Sequence, residues 1–465
     1  MNQEHNYIVM LFVYYYKEVL MYTFRHGVHP NERKELAKDK SIRVIKAGKT
    51  LVYPLQQHIG AKAKATVKVG DRVLVGQIIG EADGMISANV LSSVSGIVKA
   101  IEDRLVVGGQ KVESIIVEND DKYDAIEGFG VERDLNSMSK EEIIKAVKDA
   151  GIVGLGGASF PTHVKLQPKD PDKIDYVLVN GAECEPYLTS DYRLMLEETE
   201  MLIKGLRSML RVFPKARGII CVEDNKRDAY DKIKAALAGV DNIETALMKT
   251  KYPQGGERQL IYAITGRKIN VSKLPADAGV VVDNVDTVVS IGYAVCKSTP
   301  LLRRIMTLSG DAYNETANLN VRFGISYKEV IEAVGGFKTE PEKMISGGPM
   351  MGLPVFSLDM PVSRNSSALL AFAKDPLTGL RETNCINCGR CVKACPINLV
   401  PTRMYKAAKA GNFEEYIKLN GQECITCGSC SFVCPAKKPL TPYFSYMKFA
   451  VRGYLNSKNE KEAKK

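Results

Sequence analysis

Two cysteine runs constrain this chain more than any other feature. Residues 384–395 read NCINCGRCVKAC with Pro396 next, and residues 423–434 read ECITCGSCSFVC with Pro435 next. Both have the spacing C-x2-C-x2-C-x3-C-P, which wraps an iron–sulfur cube and gives the fourth Cys of each run to the other cluster. On that spacing Cys385, Cys388, Cys391 and Cys434 hold one [4Fe–4S] cluster, and Cys424, Cys427, Cys430 and Cys395 hold the second. The crossing ties the two runs into one small unit. Zinc is the competing reading of paired C-x2-C segments, but it explains neither the extended C-x2-C-x2-C spacing nor the proline after each run. Clusters relay electrons, so a donor has to be sought elsewhere in the chain.

At 465 residues the chain is far too long for a ferredoxin and has room for about three or four domains. With 45% hydrophobic and 25% charged residues it reads as a globular protein able to bury real cores. Eight of its 11 cysteines lie in the two runs, and Cys184, Cys221 and Cys296 are scattered, which argues against a disulfide framework and for a reducing compartment. The formal charge of +10 is a mild excess spread along the chain. It suits a solvated surface, or attraction to nucleotides, acidic electron carriers or lipid. Nucleic acid is poorly supported, since no basic run is interleaved with stacking aromatics. The apolar stretch YIVMLFVYYY, Tyr7 to Tyr16, is only ten residues long, short of the roughly 20 that a spanning helix needs. It also lacks the flanks of a signal peptide, so translation is expected to begin at Met21, with residues 1–20 a start-site extension.

From Ser41 to Asn119 short β-branched runs alternate with Gly and Asp turns, the pattern of a compact all-β module. VKVGDRVLVGQIIG followed by SSVSGIVKAI resembles the sandwich of biotinyl and lipoyl carrier domains. The hairpin from Gln77 to Val98 has no lysine, and Gly84 and Met85 stand near the attachment point, so a structural or docking role is expected. SKEEIIKAVKDAG, from Ser139 to Gly151, is a capped helix. The stretch GIVGLGGASFPTHVKL, residues 151–166, then places four glycines in seven positions, where backbone N–H groups can approach a phosphate or flat ring. A plain glycine turn fits that stretch equally well. It is not a dinucleotide fingerprint, because a helix precedes it where a strand should. Alternating strand and helix patterns follow, implying a mostly parallel sheet with ligands at the carboxyl ends of its strands. Those ends carry NGAECEP (Asn180 to Pro186), EDN (Glu223 to Asn225) and KYPQGGE (Lys251 to Glu257).

GLGGASFPTHVK, NGAECEP, YPQGGE and DNVDT (Asp283 to Thr287) occur in the order found in the flavin-bearing, NADH-oxidising subunit of respiratory complex I. With the β module before them and the doubled ferredoxin motif after, residues 24–440 resemble the C-subunit family of the Rnf electron-transport complex, an ion-translocating ferredoxin:NAD oxidoreductase. The resemblance implies a multidomain α/β chain. Residues 24–125 would be a lipoyl-like β barrel-sandwich module, and residues 126–300 a Rossmann-like FMN/NADH domain. Residues 301–360 would be a β-grasp module acting as a spacer, residues 375–440 a helical ferredoxin domain with two [4Fe–4S] clusters, and residues 441–465 a helical, charged tail. It further implies that Gly154, Gly156 and Gly157 lie along noncovalent FMN, that Lys165 pairs with its phosphate, and that Asn180, Asn284 and Thr287 hydrogen-bond its polar atoms. Glu183, Glu185, Tyr252, Gly255, Gly256 and Glu257 would form the nicotinamide side of the cavity. An acidic position of the complex I pattern is Ala182 here.

Since NADH gives a hydride and each cluster takes one electron, a flavin is the natural converter, and no catalytic side chain is required. The expected role is an NADH/NAD-binding, FMN and iron–sulfur subunit, peripheral on the cytoplasmic face of the cell membrane. Its partners would be the other members of the complex, with ferredoxin or flavodoxin as an indirect electron partner. Alternatives are a soluble flavin/iron–sulfur cobalamin reductase of propanediol microcompartments and a cluster-bearing adaptor without nucleotide chemistry.

Overall fold

The computed structural model describes residues 21–463; the expected start-site extension, residues 1–20, lies outside them. Its central unit is a parallel sheet of Tyr176–Gly181, Arg217–Glu223, Ile243–Met248 and Val280–Asn284. The strands are apolar on both faces, and each face has its own layer of helices. Val177 and Val179 pack toward the helices Thr199–Val212 and Val285–Cys296, whereas Leu178 packs toward Leu260 and Ile261 of the helix Glu257–Thr265. This is the two-residue alternation of a strand covered on both sides. Cys221 and Cys296 are buried within these layers, which accounts for two of the scattered cysteines as packing residues.

The first strand of the sheet lies between the second and the fourth. The direction of winding therefore reverses between Tyr176–Gly181 and Val280–Asn284. A crevice opens beyond the carboxyl ends of strands at such a switch point. The crevice wall is set by a close helix crossing. A Cβ on Gly205 would lie 1.9 Å from the Val288 carbonyl, and one on Gly292 would lie 2.5 Å from the Met201 carbonyl.

Two other β units flank the sheet. In the first, Thr50–Pro54, Arg72–Val73, Gly96–Leu105 and Lys111–Asn119 face Lys64–Ala65, Ile78–Glu81 and Val90–Leu91. Leu51, Tyr53, Val98, Ile115 and Val117 are buried between them. The lysine-free hairpin is pinned by Asn89, whose Oδ1 accepts from the Ala82 N–H at 2.9 Å while its Nδ2 donates to the Lys148 carbonyl at 3.3 Å. That second bond fastens the hairpin to the helix Lys140–Asp149 of the central unit.

The other flanking unit is a six-stranded mixed sheet in the order Ile42–Val44, Ala317–Arg322, Arg303–Ser309, Ala368–Phe372, Lys343–Ser346 and Leu353–Pro354. Its helix, Tyr327–Glu332, starts at a capping box of Ser326 and Glu329. Both ends of this unit depart from the boundaries expected from the sequence. Its first strand comes from the N-terminal region assigned to the sandwich, and Ala368–Phe372 lies past residue 360. Tyr22 and Val28 are likewise bonded to Leu247 and Tyr252 of the central unit, not to the sandwich. Pairing between strands so far apart in sequence leaves no local signal.

The cysteine runs lie in a unit of short helices closed by the helix Leu440–Ala463. Met404, Tyr416, Phe444, Met447 and Val451 form its core, so its packing runs past the boundary expected at residue 440. Among the described residues no helix is long and apolar enough to cross a membrane.

Because the Gly205 position abuts backbone, Gly205→Val is expected to destabilise the central unit by about 1–3 kcal/mol or more. Anaerobic denaturant unfolding measures the change, and a shift near zero would contradict the crossing.

Candidate functional site

The glycine loop, residues 151–161, spans the switch point. It closes on itself through pairing of Val153 with Pro161 and a 2.8 Å bond from the Gly154 N–H to the Phe160 carbonyl. The Leu155 N–H donates to Thr287 Oγ1 at 2.9 Å, and buried Arg304 donates to the Leu155 carbonyl at 2.8 Å. Arg304 is itself held by Asp286, fully buried in the first turn of the helix Val285–Cys296. A Cβ on Gly156 would lie 2.8 Å from the Asn284 side chain, whereas one on Gly157 would meet nothing within 4 Å. Gly156 therefore serves close packing and Gly157 borders open space. Lys165 lies below the loop, its Nζ 3.6 Å from where a Gly154 Cβ would be.

Across the crevice the acidic loop is held by two buried ammonium groups. Lys34 Nζ donates to the carbonyls of Glu183 at 2.9 Å, Glu185 at 3.1 Å and Leu188 at 2.5 Å, and stands 3.7 Å from Glu183 Oε2. Lys226 Nζ donates to the Ala182 carbonyl at 2.8 Å and to Glu223 Oε2 at 3.2 Å. Four carboxyl groups, Glu183, Glu185, Asp191 and Glu223, gather here. Burial pushes Glu185 up to about 7 and Glu223 up to about 7; Asp191 also rises to about 7, from burial and then from Glu183. Burial lowers the Lys34 ammonium against the opposing pull of Glu183.

Several expected ligand contacts are taken up within the protein. Lys165 bonds Asp283 Oδ1 and the Val282 carbonyl, each at 2.8 Å, in place of a phosphate. Asn284 donates to Asp191 Oδ2 at 2.6 Å and caps its helix, Asn180 donates to the Gly255 carbonyl at 2.8 Å, and Thr287 holds Leu155. These residues frame the crevice. The Tyr252 hydroxyl donates to the Cys427 carbonyl at 2.7 Å and lies beside Glu185. Glu185 Oε2 accepts from the Met350 N–H at 3.0 Å, while Glu257 is exposed in the first turn of its helix behind Gly255 and Gly256. Buried polar atoms without a hydrogen-bond partner nonetheless remain here: Asp191 Oδ1, Asp283 Oδ2 and both ends of the Gln254 amide, with Glu183 Oε2 held only by its ion pair to Lys34. Such atoms fit a ligand rich in hydroxyl, amide and ring polar groups. Lys34, Asp191, Lys226 and Arg304 carried no sequence motif that could have singled them out, whereas Gln254 and Asp286 lie within the motifs YPQGGE and DNVDT without having been picked from them.

Three cysteines of the second run and the last Cys of the first surround one recess, lined by Cys395, Cys424, Cys427 and Cys430 with Met404 and Phe444. Cys395 of the first run thus lies beside three cysteines of the second. Burial first, and then nearby Cys434 and Cys385, raise the Cys391 thiol, which places those three cysteines together. Cys388, like Cys385, is exposed. Among the described residues no three His, Cys, Asp or Glu side chains converge tightly enough for a single metal ion. A cube of iron and sulfide holds its thiolates further apart than one zinc ion does.

Three family models match along the chain. They are the RnfC barrel sandwich hybrid domain over residues 22–122, the Nuo51 FMN-binding domain over 147–293 and the 4Fe-4S dicluster domain over 384–438. Fold and site together define the class: an FMN- and [4Fe–4S]-bearing electron-transfer subunit. The C subunit of the proton-translocating ferredoxin:NAD(+) oxidoreductase complex of Clostridium ljungdahlii is 42% identical, over 92% of this chain and 94% of that protein. The C subunit of the Na(+)-translocating ferredoxin:NAD(+) oxidoreductase complex of Acetobacterium woodii is 43% identical, over 90% and 94%. The chain belongs to this family of Rnf complex C subunits. A crystal structure of an NAD+-reducing [NiFe]-hydrogenase in the H2-reduced state is similar at TM-score 0.49 and 20% identity, over 69% of this chain and 63% of that one.

Two predictions come from this geometry. The folded chain keeps on Glu185 a proton that the unfolded chain releases above its ordinary value of 4.5, so stability is lost as pH rises from 4.5 toward about 7. Glu185→Gln should therefore gain on the wild type across that window and run parallel above it, as measured by denaturant unfolding at several pH values. For the clusters, iron should fall from about eight to about four atoms per chain in Cys395→Ala. Adding Cys427→Ala should remove no more iron, whereas adding Cys388→Ala should remove the rest.

Proposed function

We propose that the crevice holds FMN noncovalently along Gly154, Gly156 and Gly157, and takes NADH or NAD+ from the side of Glu183, Glu185 and Glu257. The observation that carries this reading is the glycine loop tied across the switch point by Thr287 and Arg304, facing unpartnered buried polar atoms. Lys165 serves the phosphate by exchanging its bond to Asp283, a swap that charge-assisted donors to a dianion favour. Asn180 and Asn284 hold the loop ends at a fixed spacing, and Gly255 leaves room for the nucleotide where its Cβ would stand 3.2 Å from Asn180.

When bound, the flavin converts a hydride into single electrons and the two clusters relay them. The protein's own work is to bind, orient and exclude water. Cys395, Cys424, Cys427 and Cys430 ligate the cluster beside the crevice, coupled to it through Tyr252. Cys385, Cys388, Cys391 and Cys434 ligate the outer one. The six-stranded unit acts as a β-grasp-like spacer. The chain is an electron-transfer subunit of an ion-translocating ferredoxin:NAD oxidoreductase. We place it peripherally on the cytoplasmic face of the membrane, where the other subunits supply the spanning part and where reduced ferredoxin or flavodoxin is the indirect electron partner.

Gly157→Leu tests the flavin site, because its side chain would enter open space without disturbing the fold. Retained iron and unfolding midpoint, with flavin content at least about tenfold lower after gel filtration and no bleaching by NADH, is the expected result. Full flavin loading would remove the glycine loop from the site.

A further inference from the structure

The two cluster sites differ in what surrounds them. The recess of Cys395, Cys424, Cys427 and Cys430 is pressed against the central unit. Tyr252 bonds the Cys427 carbonyl, Arg258 pairs with Glu423 at 2.8 Å, and the Met350 carbonyl would be 3.0 Å from a Cβ on Gly428. The other site faces away from it. Cys385 and Cys388 lie on residues 376–388, where every residue is exposed and none belongs to a helix or strand. Leu377, Leu380 and Ile386 on this segment are 58%, 48% and 68% exposed.

The charges around the segment are uneven. Its neighbouring carboxylates are used internally: Asp375 pairs with Lys343 at 3.0 Å, and Glu382 pairs with Lys438 at 2.5 Å and accepts from Tyr405. Exposed Arg381, Arg390 and Lys393 have no ion pair among the described residues. Exposed apolar side chains and cations without ion pairs, on the same short stretch of chain as two exposed cysteines, are the composition of a docking patch for an anionic protein face.

We propose that Leu377, Leu380, Arg381, Ile386, Arg390 and Lys393 form the surface on which an acidic redox domain of another subunit docks to exchange electrons with the outer cluster. The proposal rests on the cluster assignment above. Electrons have to cross between proteins where a cluster is near the surface, and of the two runs this is the one whose leading thiols are exposed. The apolar residues exclude water at the contact and the cations draw in and orient the acidic face, so binding weakens as salt rises.

The test compares wild type with the variant Arg381→Glu/Arg390→Glu, in the assembled complex and as isolated chain. Neither residue touches the flavin crevice or ligates a cluster. Amide hydrogen exchange of residues 376–390 should be slowed at least about tenfold on assembly of the wild type and not of the variant. Ferredoxin-linked NAD reduction by membranes should fall at least about tenfold in the variant, with NADH-driven reduction of ferricyanide unchanged. Unslowed exchange in the wild-type complex, or an unaffected variant, would overturn the proposal. So would protection conferred on the isolated chain by vesicles of phosphatidylglycerol, which would make the patch a lipid-facing surface. Absence of NADH–ferricyanide activity in the wild type would instead refute the flavin reading, and leave the exchange result to judge the docking surface by itself.

Discussion

Two lysine ammonium groups, almost wholly withdrawn from water, fix the part of the molecule on which the rest depends. Lys34 and Lys226 bind the carbonyls of the acidic loop at Ala182, Glu183, Glu185 and Leu188. Burying a charge is costly unless it is paired and hydrogen-bonded, and breaking one partner is worse than never having placed it there. The loop is thereby fastened at both ends, with Glu183, Glu185 and Glu223 in the field of Lys34 and Asp191 in that of Arg304. The excess of acid is accommodated by retained protons on groups that titrate near neutrality. Lys34 also arrives from the N-terminal segment, so that segment is as much a part of the crevice as the strands are.

From that fixed loop, geometry extends in two directions. Toward the glycine loop, Glu183 accepts from the Asp191 N–H, Asp191 accepts from Asn284, and Asn284 packs on Gly156. Toward the cysteines, Glu185 accepts from Met350, and Tyr252 reaches the Cys427 carbonyl. One stretch of backbone thus sets both the crevice and its distance from the inner cluster site. A redox relay needs such rigidity, because transfer depends steeply on separation and an unsupported site loosens.

Much of this was legible in local patterns. The cysteine spacing predicts both the ligands and their crossing, because the cube demands four thiolates from two runs, and the structure brings Cys395 beside Cys424, Cys427 and Cys430. The parallel sheet was readable from the alternation of strand and helix patterns, and the missing lysine on the hairpin spoke against a carrier role. Individual contacts were less accessible. Lys165, Asn180, Asn284, Thr287 and Tyr252 were placed by resemblance against a ligand, yet each bonds a protein group whose position is set by residues far along the chain. Remote pairing was equally inaccessible: Ile42–Val44 joins a sheet whose other strands begin at Arg303, through pairing that no local window records.

The sequence by itself determined the cofactor chemistry and the order of units, since ligand spacing, glycine density and hydrophobic period are local properties that survive in any conformation. Only the tertiary structure decided which group of cysteines abuts the parallel-sheet unit and which lies exposed, how two remote lysines hold an acidic loop, and which buried polar atoms lack hydrogen-bond partners. Those outcomes depend on burial and on distances between residues far apart in the chain, as with Lys34 and Glu183, and such quantities exist only once the chain has folded.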